Sequence, residues 1–164
     1  MLEIIVRLLE LQDCDQQILM TKEHLARIPI DRQIVTERQT AIQNQVDFIR
    51  KQVKELESKR KQLEIDVSQK REGIEKYSLQ QFQTKKNEEY RALEHQIQTT
   101  KTEIIRIEDH ELEMMEQLEK LERELKELQK QEEVVKKEVN EQLTELKTCE
   151  DKLLKELDSL QNKR

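Results

Sequence analysis

The side chains that bind metals or act as nucleophiles are few and widely spaced in this chain. The histidines are His24, His95 and His110, and the cysteines are Cys14 and Cys149. No histidine lies three or four residues from another histidine or a cysteine, whereas tetrahedral zinc needs about four converging ligands. The single glycine excludes a glycine-rich phosphate-binding loop. We therefore expect no metal, no cofactor and no catalytic residue, and we interpret the chain as a non-enzyme.

Positive charges gather around the segment SLQQFQTKKN at 78–87, and two interpretations of it stay open. In the first, the segment closes a turn with a small apolar plug formed by Tyr77, Phe82, Tyr90 and Leu93. In the second, the segment is a partner-binding tip. The predicted contact residues of this tip are Lys76, Phe82, Lys85, Lys86 and Arg91. Its predicted structural residues are Tyr77, Asn87, Glu89, Tyr90 and Leu93, with Asn87 or Thr84 as the helix N-cap.

The composition leaves two classes open, a disordered chain or a long coiled coil. Of the 164 residues, 40% are charged, 34% are hydrophobic and 2% are aromatic. That hydrophobic fraction is too small for a globular core of this length, so periodicity decides between the classes. The net charge of −6 argues against general nucleic-acid binding by this segment.

A heptad repeat runs through the middle of the chain. Its first set of positions is Val35, Ile42, Ile49, Leu56 and Leu63. Its alternate positions are Val46, Val53, Val67 and Ile74, with Arg60 as an interruption. Disordered chains do not produce such spacing, which is typical of a coiled coil.

A second apolar stripe runs from Leu93 to Leu160, and its phase differs from that of the first. Tyr77 ends the first stripe at the heptad position at which Leu93 begins the second stripe. Sixteen residues separate them, whereas one unbroken repeat would place them fourteen residues apart. A single continuous helix would turn its stripe away from the partner, so the chain must fold back. We predict an all-α fold, a long antiparallel two-stranded coiled-coil hairpin with its turn near 78–86.

A proline at position 29 predicts an interruption of the first strand of the hairpin. The sequence IPID disfavours helical backbone before Pro29, so a first helix should end near Arg27. The prediction for the single domain 1–164 is a helix over 2–27, a helix over 30–76, a turn over 77–86 and a helix over 87–164.

The turn also predicts a register. If residue 76 faces residue 87, the numbers of paired residues add up to about 163. Cys14 and Cys149 meet this condition, and both follow apolar stripes. We expect the two thiols in the same or adjacent core layers as small buried hydrophobes.

Two stretches resemble the bacterial four-cysteine zinc-ribbon proteins that carry an N-terminal coiled-coil hairpin. The first is LLELQDCDQQI at 8–18, followed by Leu25 and the Ile-Pro pair at 28–29. The second is KYSLQQFQTKKNEEYRAL at 76–93. Its residues that match the family motif are Tyr77, Lys85, Asn87, Glu89, Tyr90, Ala92 and Leu93.

The resemblance implies an adaptor-like regulator linked to flagellar or type III secretion systems. The implied partners are proteins, an alternative sigma factor or secretion-apparatus components. The family's ribbon should follow the hairpin, and this chain reaches Arg164 without the four cysteines. We expect a full-length protein to continue into a ribbon, and zinc or nucleic-acid binding would belong to that ribbon.

The function predicted from the sequence is a non-catalytic protein-interaction module in the cytoplasm, without membrane contact, as a monomer or weak homodimer. Two alternatives stay open. In one, the protein binds RNA or DNA and the hairpin only spaces or dimerises the missing ribbon. In the other, the hairpin is a purely structural spacer.

Overall fold

The protein consists of two long helices joined by a short turn. A computed structural model describes residues 1–164 and contains α1, Leu2–Gln83, and α2, Asn87–Lys163. No strand is present. Because Cys14 contacts Leu160 while Gln81 contacts Glu94, the helices run antiparallel. The predicted all-α antiparallel hairpin is confirmed.

Two compact units make up the chain, and each contains a stretch of both helices. The terminal unit comprises Met1–Gln45 and Leu128–Arg164, and the turn unit comprises Val46–Glu127. In the terminal unit, the most buried apolar side chains are Ile18, Ile28, Val139 and Leu160. In the turn unit, they are Val46, Ile49, Val53, Val67, Ile97, Ile104 and Leu118. Those from Val46 to Leu160 lie on the two predicted stripes, and Ile28 and Ile18 continue the first stripe towards the N-terminus at spacings of four and three.

Helix α1 passes through Pro29 without interruption, so the predicted helix end near Arg27 is wrong. A proline inside a helix costs about 3 kcal/mol, because it removes one backbone hydrogen bond and crowds the preceding turn. Leu25, Ile28 and Val35 keep the same stripe on both sides of the proline, and Ile28 is only 4% exposed. Burial of such side chains contributes about 1.5–3 kcal/mol each, which is enough to offset the proline.

The turn is shorter than the sequence predicts. Helix α1 ends at Gln83 and not at Lys76, so only residues 84–86 lie between the two helices. Tyr77 follows Ile74 by three residues and Gln81 follows Tyr77 by four, so both continue the α1 stripe. Both side chains are half-buried. Packing along the stripe therefore extends the helix seven residues into the segment that was expected to turn.

The longer α1 changes the register. The Cys14 thiol donates a hydrogen bond to the carbonyl oxygen of Leu160 at 3.4 Å, and the numbers of these two residues add up to 174. In the turn unit, Gln81 pairs with Glu94 and gives nearly the same value. The expected value of 163 is therefore wrong by about eleven residues, or about 16 Å along a helix.

Cys14 and Cys149 do not share a core layer, which corrects the cysteine prediction. Cys14 is half-buried, whereas Cys149 is exposed. The α2 stripe passes through Val139, Leu143 and Leu146, so one step of four residues replaces a step of three. Such an insertion shifts the stripe around the helix, and Glu150 takes the core position instead of Cys149.

The candidate functional site at the hairpin turn

The turn Thr84–Lys86 is built without any residue in the left-handed backbone region. The Thr84 N–H donates to the Gln80 carbonyl at 3.0 Å and completes the last turn of α1. The Tyr90 N–H donates to the Lys86 carbonyl at 3.0 Å and begins α2. Lys86 is therefore the N-cap residue and Asn87 the first helical residue, so neither Asn87 nor Thr84 has the predicted capping position.

One carboxylate links the two sides of this turn. The Thr84 hydroxyl donates to Glu89 Oε2 at 2.8 Å, and the Lys86 ammonium lies 3.9 Å from Glu89 Oε1. Glu88 and Glu89 also lie in the first turn of α2, where the helix dipole favours negative charge. Glu89, one of the predicted structural residues, therefore accepts a hydrogen bond that spans the turn.

A second carboxylate connects the helices one step further from the turn. Glu94 accepts hydrogen bonds from Gln81 at 2.8 Å and from Gln98 at 3.2 Å. These bonds, Gln81 first, and the nearby charge of Lys101 hold the pKa of Glu94 below its ordinary value. The sequence analysis did not identify this cluster, although Gln81 lies at the stripe spacing that continues from Tyr77.

The aromatic residues do not form the plug that one interpretation predicted. Tyr77 and Leu93 are half-buried on the stripes of their helices. Phe82, however, is 91% exposed, and Tyr90 is 50% exposed. Leu79, on the preceding turn of α1, is 61% exposed. The protein therefore exposes Leu79, Phe82 and Tyr90 around the turn, and we call these three side chains the turn surface.

The basic residues near the turn fall into two groups. Lys70 and Arg71 are neutralised across the hairpin by Glu103 at 2.6 Å and Glu108 at 2.7 Å. The second group is exposed and has no carboxylate within salt-bridge distance. Its members are Lys76, Lys85 and Arg91. With Lys86, whose only carboxylate lies at 3.9 Å, these cations lie near the turn alongside the exposed carboxylates Glu75 and Glu88.

A shallow groove of about 530 Å³ lies beside the turn surface. Its lining residues are Gln80, Gln83, Thr84, Glu89, Ala92 and Leu93. The groove is open, and its polar groups are amides, a hydroxyl and one carboxylate. It is suited to contact with a protein side chain rather than to enclosing a small substrate.

No group of three or more histidine, cysteine, aspartate or glutamate side chains is placed to hold a metal ion. Neither helix contains a stretch that is both long and apolar enough to cross a membrane.

The comparisons with known proteins gave no relative. No protein-family model, no curated protein and no solved structure matches the chain.

Proposed function

We propose that this chain is a non-catalytic interaction module that binds a partner protein at its turn. The observation that carries the proposal is Phe82, which is 91% exposed while the neighbouring stripe residues are covered by the opposite helix. Aromatic side chains supply much of the energy of protein interfaces when a partner buries them. Leu79 and Tyr90 extend the same apolar surface.

The charges around the turn surface indicate the chemistry of the partner. Lys76, Lys85 and Arg91 are exposed and unpaired, so they are free to meet carboxylates. An apolar anchor beside three unpaired cations favours a partner segment in which acidic residues flank an apolar side chain. Charge at the rim would mainly raise the association rate, and burial of Phe82 would supply most of the affinity.

The resemblance described above supports a more specific form of the proposal. We infer the coiled-coil part of a cytoplasmic zinc-ribbon regulator linked to flagellar or type III secretion, with an alternative sigma factor or a secretion-apparatus component as partner. The second matching stretch, 76–93, contains the whole exposed turn, so the motif and the surface point to the same residues. Zinc and nucleic acid would belong to a ribbon beyond Arg164.

Site-specific photocrosslinking tests the proposal. The chain has two phenylalanines, both exposed, so one serves as the probe and the other as a matched control. Phe82 is 91% exposed near the turn and Phe48 is 61% exposed on the stem, so each can be replaced by p-benzoylphenylalanine. We expect irradiation in host cells to join the turn probe at 82 to one protein identified by mass spectrometry. The probe at 48 should give no such product.

Two variants then connect the crosslink to the turn surface. Phe82→Ala should weaken binding of the identified partner at least about tenfold, as expected for loss of an aromatic anchor. The pair Lys85→Glu and Lys86→Glu should weaken it mainly at low salt. Equal products from 48 and 82 would contradict a turn site, and no product from either would favour a spacer. RNA retention by the chain that falls steeply with salt would favour the nucleic-acid alternative.

A further inference from the structure

The N-terminal part of α1 carries the largest concentration of exposed apolar side chains in the protein. Leu2 is 82% exposed, Ile5 53%, Val6 48% and Leu9 55%. Ile4 and Leu8 are exposed to a similar degree, and Leu19 and Met20 follow two heptads after Ile5 and Val6. Apolar patches of this kind on a protein surface usually mark an interaction site.

The opposite helix does not cover this segment. Arg164, near the end of α2, forms an ion pair with Asp15 at 3.1 Å, and Cys14 contacts Leu160. Because paired residue numbers add up to about 174, residues 2–9 lie beyond the level of Arg164.

The apolar side chains of Leu2, Ile5 and Leu9 also point away from the side of α1 that faces α2. The stripe that faces α2 reaches back from Ile18 through Cys14 and Leu11 to Arg7, in steps of four and three. At 100° per residue, Leu2, Ile5 and Leu9 lie on the opposite side of α1. A segment that continued α2 along the stripe would therefore meet Arg7 and leave this outer side uncovered.

We propose that the outer side of α1, formed by Leu2, Ile5, Val6 and Leu9 with Leu19 and Met20, is a self-association surface that binds the same surface of a second copy of this chain. A buried aliphatic side chain corresponds to roughly 60–120 Å² of apolar area. In two copies, these twelve side chains would bury on the order of 1,000 Å², the lower bound for a specific interface. The dimer is accordingly of modest affinity.

The charges of the segment favour a second copy over a membrane surface. Among residues 2–12, Arg7 is the only basic side chain, and it lies between Glu3 and Glu10. Arg7 also pairs with Glu3 at 3.7 Å within the helix. Helices that bind membrane surfaces are rich in lysine and arginine on their polar side, which this segment is not.

Sedimentation equilibrium on the purified chain tests the proposal with a matched pair of variants. Ile5→Lys with Leu9→Lys places two charges on the self-association surface. Ile105→Lys with Leu112→Lys places the same two substitutions on exposed positions of α2, at 58% and 59% exposure. We expect a concentration-dependent dimer whose dissociation constant rises at least about 100-fold in the first variant and about threefold or less in the second.

A crosslinking measurement locates the contact. With Cys14 and Cys149 replaced by serine, Leu9→Cys should give a covalent dimer with a bismaleimide much faster than Leu112→Cys. A chain that stays monomeric at about 1 mM would overturn the proposal. A dimer that survives Ile5→Lys with Leu9→Lys would overturn it too, as would a monomer that binds vesicles of neutral lipid through Leu9.

Discussion

At the scale of single residues, Glu94 connects the two helices near the turn through its hydrogen bonds with Gln81 and Gln98. These bonds favour the ionised carboxylate, so the pKa of Glu94 is lowered in the folded chain. The contribution to stability is therefore present above the unfolded pKa and is lost as the pH falls through the folded pKa. Gln81→Ala should move the pKa of Glu94 back towards its ordinary value, as measured by NMR titration of the side-chain carboxyl.

A matched control for this change is Gln62→Ala, which removes the hydrogen bond from Gln62 to Asp66 at 3.1 Å on the same helix. It should leave the titration of Glu94 unchanged. An unchanged Glu94 titration in Gln81→Ala would mean that the link between the helices is not formed in solution.

Arg60 is the residue that interrupts the first apolar stripe, and its guanidinium group faces a carboxylate of α2. Its Nε atom is buried without a hydrogen-bond partner and lies 3.6 Å from Glu111 Oε1. Replacing a buried ion pair by aliphatic residues is often stabilising by about 1–4 kcal/mol, and because the Arg60 side chain is 36% exposed we expect a gain at the lower end of that range. Arg60→Leu with Glu111→Leu should therefore raise the free energy of unfolding in urea.

The exposed pair Arg38 and Glu138, at 2.8 Å, provides the comparison for that double variant. Arg38→Leu with Glu138→Leu should change stability by less than about 1 kcal/mol, since exposed ion pairs contribute little. If the Arg60 and Glu111 variant is instead less stable than the natural chain, this pair contributes net stability, contrary to our reading of its burial.

At the scale of the helices, the sequence already contained the information that α1 is continuous. Leu25, Ile28, Val35 and Ile42 keep one stripe phase across Pro29, whereas a true break would normally reset that phase. The helix end predicted from Pro29 alone is wrong, because burial of the stripe side chains outweighs the local preference of one residue. The end of α1 at Gln83 was harder to predict, since residues 78–83 are mostly polar and show no apolar stripe of their own.

Pro29→Ala tests the continuity of α1. Since the helix passes through this position, alanine should restore the missing hydrogen bond and raise the free energy of unfolding by up to about 3 kcal/mol. Gly73→Ala provides a comparison on the same helix. A Cβ atom at this position meets nothing within 4 Å, so the free energy of unfolding should rise by about 1 kcal/mol. A Pro29→Ala variant that is less stable than the natural chain would show that the proline occupies a real break.

At the scale of the whole hairpin, the sequence predicted the fold and a turn within residues 77–86, but neither the length of the turn nor the register. The stripes define which sides of the helices meet, and many registers satisfy them equally. In the observed register, Arg32 pairs with Glu150 in the terminal unit and Lys70 with Glu103 in the turn unit, both at 2.6 Å. The heptad pattern of a single helix does not reveal such pairs, because each pair joins side chains of two different helices.

The register predicts which cysteine Cys14 can reach. Its thiol lies 3.4 Å from the carbonyl oxygen of Leu160, so Leu160→Cys would place a second thiol in the same layer. With Cys149 replaced by serine, mild oxidation of Leu160→Cys should produce an intramolecular crosslink, detected as a faster band on a non-reducing gel. The natural pair Cys14 and Cys149 should not form this product, since about eleven residues of helix separate Cys149 from the layer of Cys14. An intramolecular disulfide in the natural chain, formed faster than in Leu160→Cys, would contradict the observed register. It would require paired residue numbers that add up to about 163, and with them a turn that begins near Lys76.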